Sequence, residues 1–292
     1  MAELVILFLG ITFVVGLLRE YVPPDRIKNA LSRKTRGAGN AIGAAFGAVT
    51  PFCSCSTIPL LVGMLDSGVP FGICMSFLIA SPLLNPVIIG MLLTMISAEM
   101  VLLYFIITFM GSVFIGMALE RMGMAKEVKD VMVTGGMRSE GVEVNCSSGF
   151  WERHGPRIRG AWEFAWDLFK HMFIYLIIGV AIGAFIYGFV PEDLIVSVAG
   201  SGNPLAIPVA ALIGIPMYVR AETIIPIGIA LTSKGMSAGA VVALLIGGAG
   251  ASIPELIMLS GIFKRKMVAA FMLTIIMVAI LTGFALEFAG GL

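Results

Sequence analysis

Charge is scarce in this chain: Asp, Glu, Lys and Arg together make up 13% of its 292 residues, and the formal balance is +1. A chain with so little charge and no basic excess is unsuited to nucleic acid, which is held through neutralised phosphates. Histidine is scarcer still. His154 and His171 are the only two, in or beside the central polar loop, and a histidine-rich metal site is set aside. No G-x-x-x-x-G-K-[ST] pattern occurs, so the chain has no phosphate-cradling loop for nucleotide hydrolysis. The start carries Glu3 and no basic segment before its first apolar run, which predicts a permanent span and not a cleaved signal peptide.

Cysteine is limited to Cys53, Cys55, Cys74 and Cys146. A Cys-x-Cys pair closes only a small, strained ring, so no disulfide framework is expected. What the chain has in abundance is apolar sequence, at 59% of residues and a mean hydropathy of +1.02. A soluble domain of this length has no interior for that much apolar surface. The expectation is an all-α polytopic membrane protein whose constant partner is the lipid bilayer.

Plain spans are expected at Leu4 to Leu18, Met100 to Leu119, Met172 to Val190 and Met267 to Phe288. Two longer apolar regions are broken by polar and helix-breaking residues. One runs from Gly39 to Ile96, with breaks at Thr50 to Thr57 and Ser81 to Pro86; the other runs from Pro204 to Phe263, with breaks near Ile215 to Thr223 and Gly247 to Pro254. A shift of about 167 residues lays Pro59 on Pro226, Gly68 on Gly235 and Gly72 on Gly239, and one extra residue brings Pro86 onto Pro254. Paired broken helices in two halves point to a transporter site near the bilayer midplane.

Loop charge predicts how the halves relate. Arg19, Arg26, Lys28, Arg33, Lys34 and Arg36 follow the first span, whereas Glu192 and Asp193 follow its counterpart; Glu99 faces the basic Lys264-Arg265-Lys266 in the same way. By the positive-inside rule the two halves run oppositely, an inverted repeat. The organisation expected is a first transmembrane repeat over 1–120, a cytoplasmic linker over 121–160, and a second repeat over 161–292 led by an interfacial helix around Trp162, Trp166 and Phe169. An odd number of crossings per half requires one broken segment of each to dip in and return. Asp66 and Lys234, at the turns between segments, carry the signs expected if the first crosses, so the second is predicted to be re-entrant.

The residues with chemistry to offer sit at the breaks. Cys53 and Cys55 are soft sulfur donors one residue apart in Thr50-Pro51-Phe52-Cys53-Ser54-Cys55-Ser56-Thr57; two such sulfurs suit a thiophilic centre such as a trivalent metalloid, though buried cysteines also serve simply as small packing residues. Ser54 and Ser56 flank them as polar contacts. Arg220 and Glu222 occupy the matching break of the second half, where an unpaired central charge costs about 2.5 to 3.5 kcal/mol on insertion scales. They are candidates for substrate contact or for a structural ion pair. Glu222 and Glu255, desolvated in a cavity, are the candidates for proton coupling. Asn85 either binds substrate or satisfies backbone groups freed by Pro86. Gly39, Gly43 and Gly47 form a tandem G-x-x-x-G face for close helix contact, within one chain or in a homodimer. Cys74 reads as core.

The motif Thr50-Pro51-Phe52-Cys53-Ser54-Cys55-Ser56, with Pro59-Leu60 and Ser81-Pro82-Leu83-Leu84-Asn85-Pro86, resembles the permease family that includes ArsP and YraQ. The resemblance extends over most of the chain. It implies a multi-pass permease of the plasma (inner) membrane and, through the ArsP members, efflux of trivalent organoarsenicals. The function expected is therefore export of a small thiophilic solute, with no enzyme activity, no cofactor and no resident metal. Two alternatives stand beside it: transport of a small sulfur-containing or other anion anchored by Arg220, and an intramembrane thiol oxidoreductase. Against the last stands the spacing, because redox pairs are usually Cys-x-x-Cys.

Overall fold

Why this chain breaks its helices where it does is visible in a computed structural model, which describes residues 36–50, 54–129, 205–217, 224–233 and 235–290, with residues 10 and 13 and scattered helical positions between 159 and 178. The ordered elements are α1 (Arg36–Val49), α2 (Ser54–Asp66), α3 (Phe71–Leu83), α4 (Pro86–Met95), α5 (Ala98–Arg121), a single 3-10 turn at Met124–Glu127, α6 (Ala206–Met217), α7 (Ile224–Ser233), α8 (Ala238–Gly250), α9 (Ile253–Ile262) and α10 (Arg265–Gly290). Among the described residues there is no strand, only an isolated antiparallel bridge between Val128 and Phe263.

The expected breaks at Ser81 to Pro86 and Gly247 to Pro254 are present, while those at Thr50 to Thr57 and near Ile215 to Thr223 lie partly outside the described residues. Pro86 opens α4, and the residue before a proline avoids the helical region; Asn85 accordingly sits at φ −52, ψ 131. In the second half Ser252 takes the same place at φ −61, ψ 149, ahead of Pro254. Despite the breaks, Phe71–Thr94 and Ala238–Ile262 are long and apolar enough to cross a membrane, as are Ala98–Arg121 and Arg265–Ala289. The expected spans Met100 to Leu119 and Met267 to Phe288 fall inside α5 and α10. The expected spans at Leu4 to Leu18 and Met172 to Val190 lie largely outside the described residues.

The two sets of helices match contact by contact. The helices α3, α4 and α5 begin at 71, 86 and 98, and α8, α9 and α10 begin at 238, 253 and 265, a constant interval of 167. The extra residue placed before Pro86 is therefore not needed: Asn85 matches Ser252 directly, and each helix tolerates proline anywhere in its first turn, where N–H groups have no partner in any case. After α2, Gly68 at φ 73 closes the helix end, and Gly235 at φ 91 does so after α7. Val69 N donates to Met64 O and Gly68 N to Leu65 O, repeated by Met236 N to Leu231 O and Gly235 N to Thr232 O. This is the Schellman closure, which glycine serves because it adopts positive φ without strain.

Glycines also set the closest helix contacts. A Cβ on Gly47 would fall 2.8 Å from Phe77 O and 3.0 Å from Ser81 N, and one on Gly214 would strike Leu244 O and come within 2.9 Å of Gly248 N. Gly43 and Gly47, two of the three residues of the tandem glycine face, are thus used inside the chain, by α1 against α3. Gly72 lies against Gly116 O and the Glu120 carboxylate; Gly239 lies against Gly283 O and the Glu287 carboxylate.

These contacts also give direction. Gly43 and Gly47 meet Ile73 and Phe77 in the same order, so α1 and α3 run parallel. Gly72 meets Gly116 while Tyr104 bonds to Leu83, so α5 runs the other way. Gly37, at the start of α1, touches Met117 near the end of α5. The start of α1 and the end of α2 therefore lie at one end of the bundle, and it is the first broken segment, α1–α2, that dips in and returns. The expectation that the second is re-entrant is corrected: α3–α4 crosses, because α4 continues away from that end to meet the start of α5. The turn charges of Asp66 and Lys234 were a weaker guide than glycine packing.

Beyond α5 the chain bonds to the loop before α10, with Lys129 N to Ile262 O at 2.8 Å and Lys264 N to Glu127 O at 2.9 Å. The end of α5 thus sits beside the start of α10, and the two helices, touching at Gly111 and Val278, run in opposite directions. Arg121, Lys126, Lys129, Lys264, Arg265 and Lys266 are all exposed at this basic end. In the helical positions between 159 and 170, Ala165 and Leu168 are buried, while Trp162 and Trp166 stack on the exposed side with Lys170 over the Trp166 ring.

Candidate functional site

The breaks converge. A Cβ on Gly250, the last residue of α8, would lie 2.9 Å from the Leu83 side chain at the end of α3 and 3.1 Å from Ile275 in the interior of α10. Tyr104, some 9 Å along the axis of α5 at 1.5 Å per residue, donates to Leu83 O at 2.6 Å. Both crossing helices therefore break inside the thickness that α5 and α10 span. Around this level begin four half-helices, α2, α4, α7 and α9, and they associate across the halves: α2 with α9, and α4 with α7. The exchange α2 to α7 and α9 to α4 maps one contact onto the other, as a two-fold relation between the halves requires.

The breaks of the first half have freed backbone groups taken up by side chains, as an apolar interior demands. Asn85 Oδ1 accepts from Val87 N at 2.9 Å, which is the N-cap role. The Tyr104 hydroxyl supplies the donor that Leu83 O would otherwise lack. Thr50 donates to Gly47 O at 2.9 Å at the end of α1. Thr57 Oγ1 and Ser81 Oγ lie 3.5 Å apart between α2 and α3. Both hydroxyls are fully buried. In the sequence Thr57 and Ser81 stand at the edges of breaks, whereas Tyr104 lies unmarked inside a plain span, and only its contact with Leu83 O gives it meaning.

Of the residues expected at the site, Asn85 is at the break and 7% exposed, and Glu255, in the first turn of α9, is 1% exposed. A carboxylate at that position faces the positive end of its helix, which favours it. Ser54, Cys55 and Ser56 form the first turn of α2, and the helix that carries them is the one packed on α9. Their side chains, together with Cys53, Arg220 and Glu222, lie outside the described residues. The structure so far brings together the helix of Cys55 with the helix of Glu255, and the break of Asn85 with the helix that follows Glu222. Cys74 is fully buried with its Sγ 3.8 Å from Val69 O, as expected of core.

Beside the breaks, Pro82, Leu83, Ile88, Leu92 and Tyr104 of the first half face Val242, Leu245, Ile246 and Ala249 of the second across an apolar recess. The chain thus offers a mixed environment at one level: hydroxyls and an amide from the first half, a carboxylate from the second, and apolar walls between.

A family model described as a predicted permease, ArsP_1, matches residues 1–288. No curated protein matches the chain, and no solved structure does.

Proposed function

Because the chain belongs to the ArsP-type family of predicted permeases, we propose that it is a secondary transporter of the plasma membrane that exports a small thiophilic solute, such as a trivalent organoarsenical. The observation that carries this reading is the meeting of the broken crossing helices at Gly250 and Leu83, with the first turn of α2 and the first turn of α9 on helices that touch. In this reading Cys53 and Cys55 bind the solute through sulfur, Ser54, Ser56 and Asn85 line its path, and Arg220 and Glu222 close the site from the second half. Two sulfurs in place of three leave the bound solute free to exchange, which a carrier needs.

The halves act as an inverted repeat. Support comes from equivalent helices α5 and α10 running oppositely and from hairpins α1–α2 and α6–α7 that enter from different ends. The exposed basic end is cytoplasmic by the positive-inside rule. Alternating access then follows from rocking one half against the other about a fixed centre. In this reading Glu222 and Glu255 couple the cycle to protons.

A second reading is favoured by one feature: α2, α4, α7 and α9 all start at the same interior level. Helix starts attract anions, and a small sulfur-containing anion anchored by Arg220 suits them. Transport into everted vesicles separates the two. For the metalloid reading, uptake of a trivalent methylarsenical is lost in Cys53→Ser/Cys55→Ser. For the anion reading, uptake of a sulfur anion survives that change and fails in Arg220→Gln. Thiol-independent movement of every compound tested sinks the preferred mechanism.

A further inference from the structure

The halves share a backbone plan but not a lining. Along α5, Tyr104, Thr108, Ser112, Gly116 and Glu120 recur every fourth residue and so form one ridge that winds slowly around the helix. Tyr104, Thr108 and Ser112 are buried, at 2%, 0% and 0% exposure. The ridge runs from the exposed Glu120 at the basic end to the break, where Tyr104 meets Leu83 O. Beside Gly116 stand Asn40 of α1 and Ser76 of α3, both buried, with Asn40 Nδ2 donating to Ser76 Oγ at 3.1 Å.

The second half repeats these positions 167 residues on with Phe271, Ile275, Ala279, Gly283 and Glu287, flanked by Ile207 and Ala243. Gly283 O and the Glu287 carboxylate keep their places against Gly239, and Ile207 and Ala243 keep theirs against Gly283. The same contacts are thus built with apolar side chains. Thr282, the buried hydroxyl of α10, lies off this ridge. Packing therefore does not require the hydroxyls and amide of the first half, and burying them carries a desolvation cost. The Thr108 hydroxyl is wholly buried one turn from Tyr104, and Ser112 Oγ donates to Phe109 O at 2.7 Å, which leaves lone pairs on both oxygens to accept from water.

We propose that the first half carries a one-sided hydrated path for protons, from Glu120 along Ser112 and Thr108, past Asn40 and Ser76, to Tyr104 at the break. Successive ridge positions rise about 6 Å along the helix axis, a gap that one bridging water spans. Protons pass between hydroxyls and waters along this file and reach the interior from the basic end only. The second half, sealed by Phe271 and Ile275, offers no such route. The inference deepens the transport reading and rests on it only for what the protons drive; hydration is testable with no solute present.

The test uses the full-length chain in nanodiscs, with hydroxyl-radical footprinting read residue by residue by mass spectrometry. Tyr104 is expected to be modified several-fold more than Phe271, and its modification to fall several-fold in Thr108→Ile/Ser112→Ala, which installs the residues that the second half already packs. The milder Ser112→Ala alone keeps the test if the double variant does not fold. Tyr104 no more reactive than Phe271, or equally reactive in the variants, overturns the path. In proteoliposomes with a trivalent methylarsenical, the double variant is expected to exchange solute down its own gradient while losing proton counterflow; counterflow at the wild-type rate overturns it too. Footprinting as expected, with no solute moved by the wild type, supports the path and counts against the transport reading alone.

Discussion

Asn85 illustrates how a single side chain can hold a helix break open. Its Oδ1 caps Val87 N, so Asn85→Ala is expected to destabilise the chain by about 1 kcal/mol, whereas Asn85→Asp, which keeps an acceptor, should cost less. Denaturation of the purified protein in detergent checks the order; equal losses would mean that the cap is not what the residue contributes. Glu255 belongs to the same level of the molecule but the other half. Glu255→Gln removes the charge and keeps the shape, and it is expected to spare solute exchange while abolishing drive by a proton gradient; unchanged gradient drive would remove the carboxylate from the coupling. In the sequence both residues were conspicuous, since an amide before a proline and a carboxylate after one interrupt apolar runs. Tyr104 was not, because a hydroxyl costs an apolar helix so little that only its position at a contact gives it meaning.

Among the helices, glycine decides what can touch. Gly214 on α6 lies so close to Leu244 O that a Cβ has no room, while Gly90 on α4 has nothing within 4 Å. Gly214→Ala is therefore expected to cost about 1 to 3 kcal/mol, the usual range for overpacking. Gly90→Ala should be neutral or stabilising by less than about 1 kcal/mol through helix propensity. Thermal melting of both variants tests this, and a harmless Gly214→Ala would contradict the close approach. The helix breaks were legible in the sequence because proline and its neighbours act locally. Which broken segment returns was not, since Asp66 and Lys234 are single charges at turns, whereas the answer lies in the pairing of Gly43 and Gly47 with Ile73 and Phe77, a contact between residues some way apart in the chain. The interval of 167 was legible in Pro59, Gly68 and Gly72; only at Pro86 did the match with Pro254 add a residue, because proline is free to occupy either of the first two helical positions.

At the level of the entire chain, the proposed transport cycle needs two equivalent helix sets facing opposite ways around a shared interior level. The strap from Glu127 to Lys129 against Ile262 to Lys264 joins the sets at the basic end, and sequence could not have paired these segments, which lie far apart along the chain. Asp66 and Ser233 are equivalent positions, 167 residues apart, at the exposed ends of α2 and α7. Asp66→Cys and Ser233→Cys, made separately, can each be challenged with a membrane-impermeant thiol reagent in intact cells and in everted vesicles, with labelling read at the individual peptide. Labelling of position 66 only in everted vesicles and of position 233 only in intact cells is the predicted result; labelling of both from the same side would contradict opposed halves and with them the proposed transport cycle.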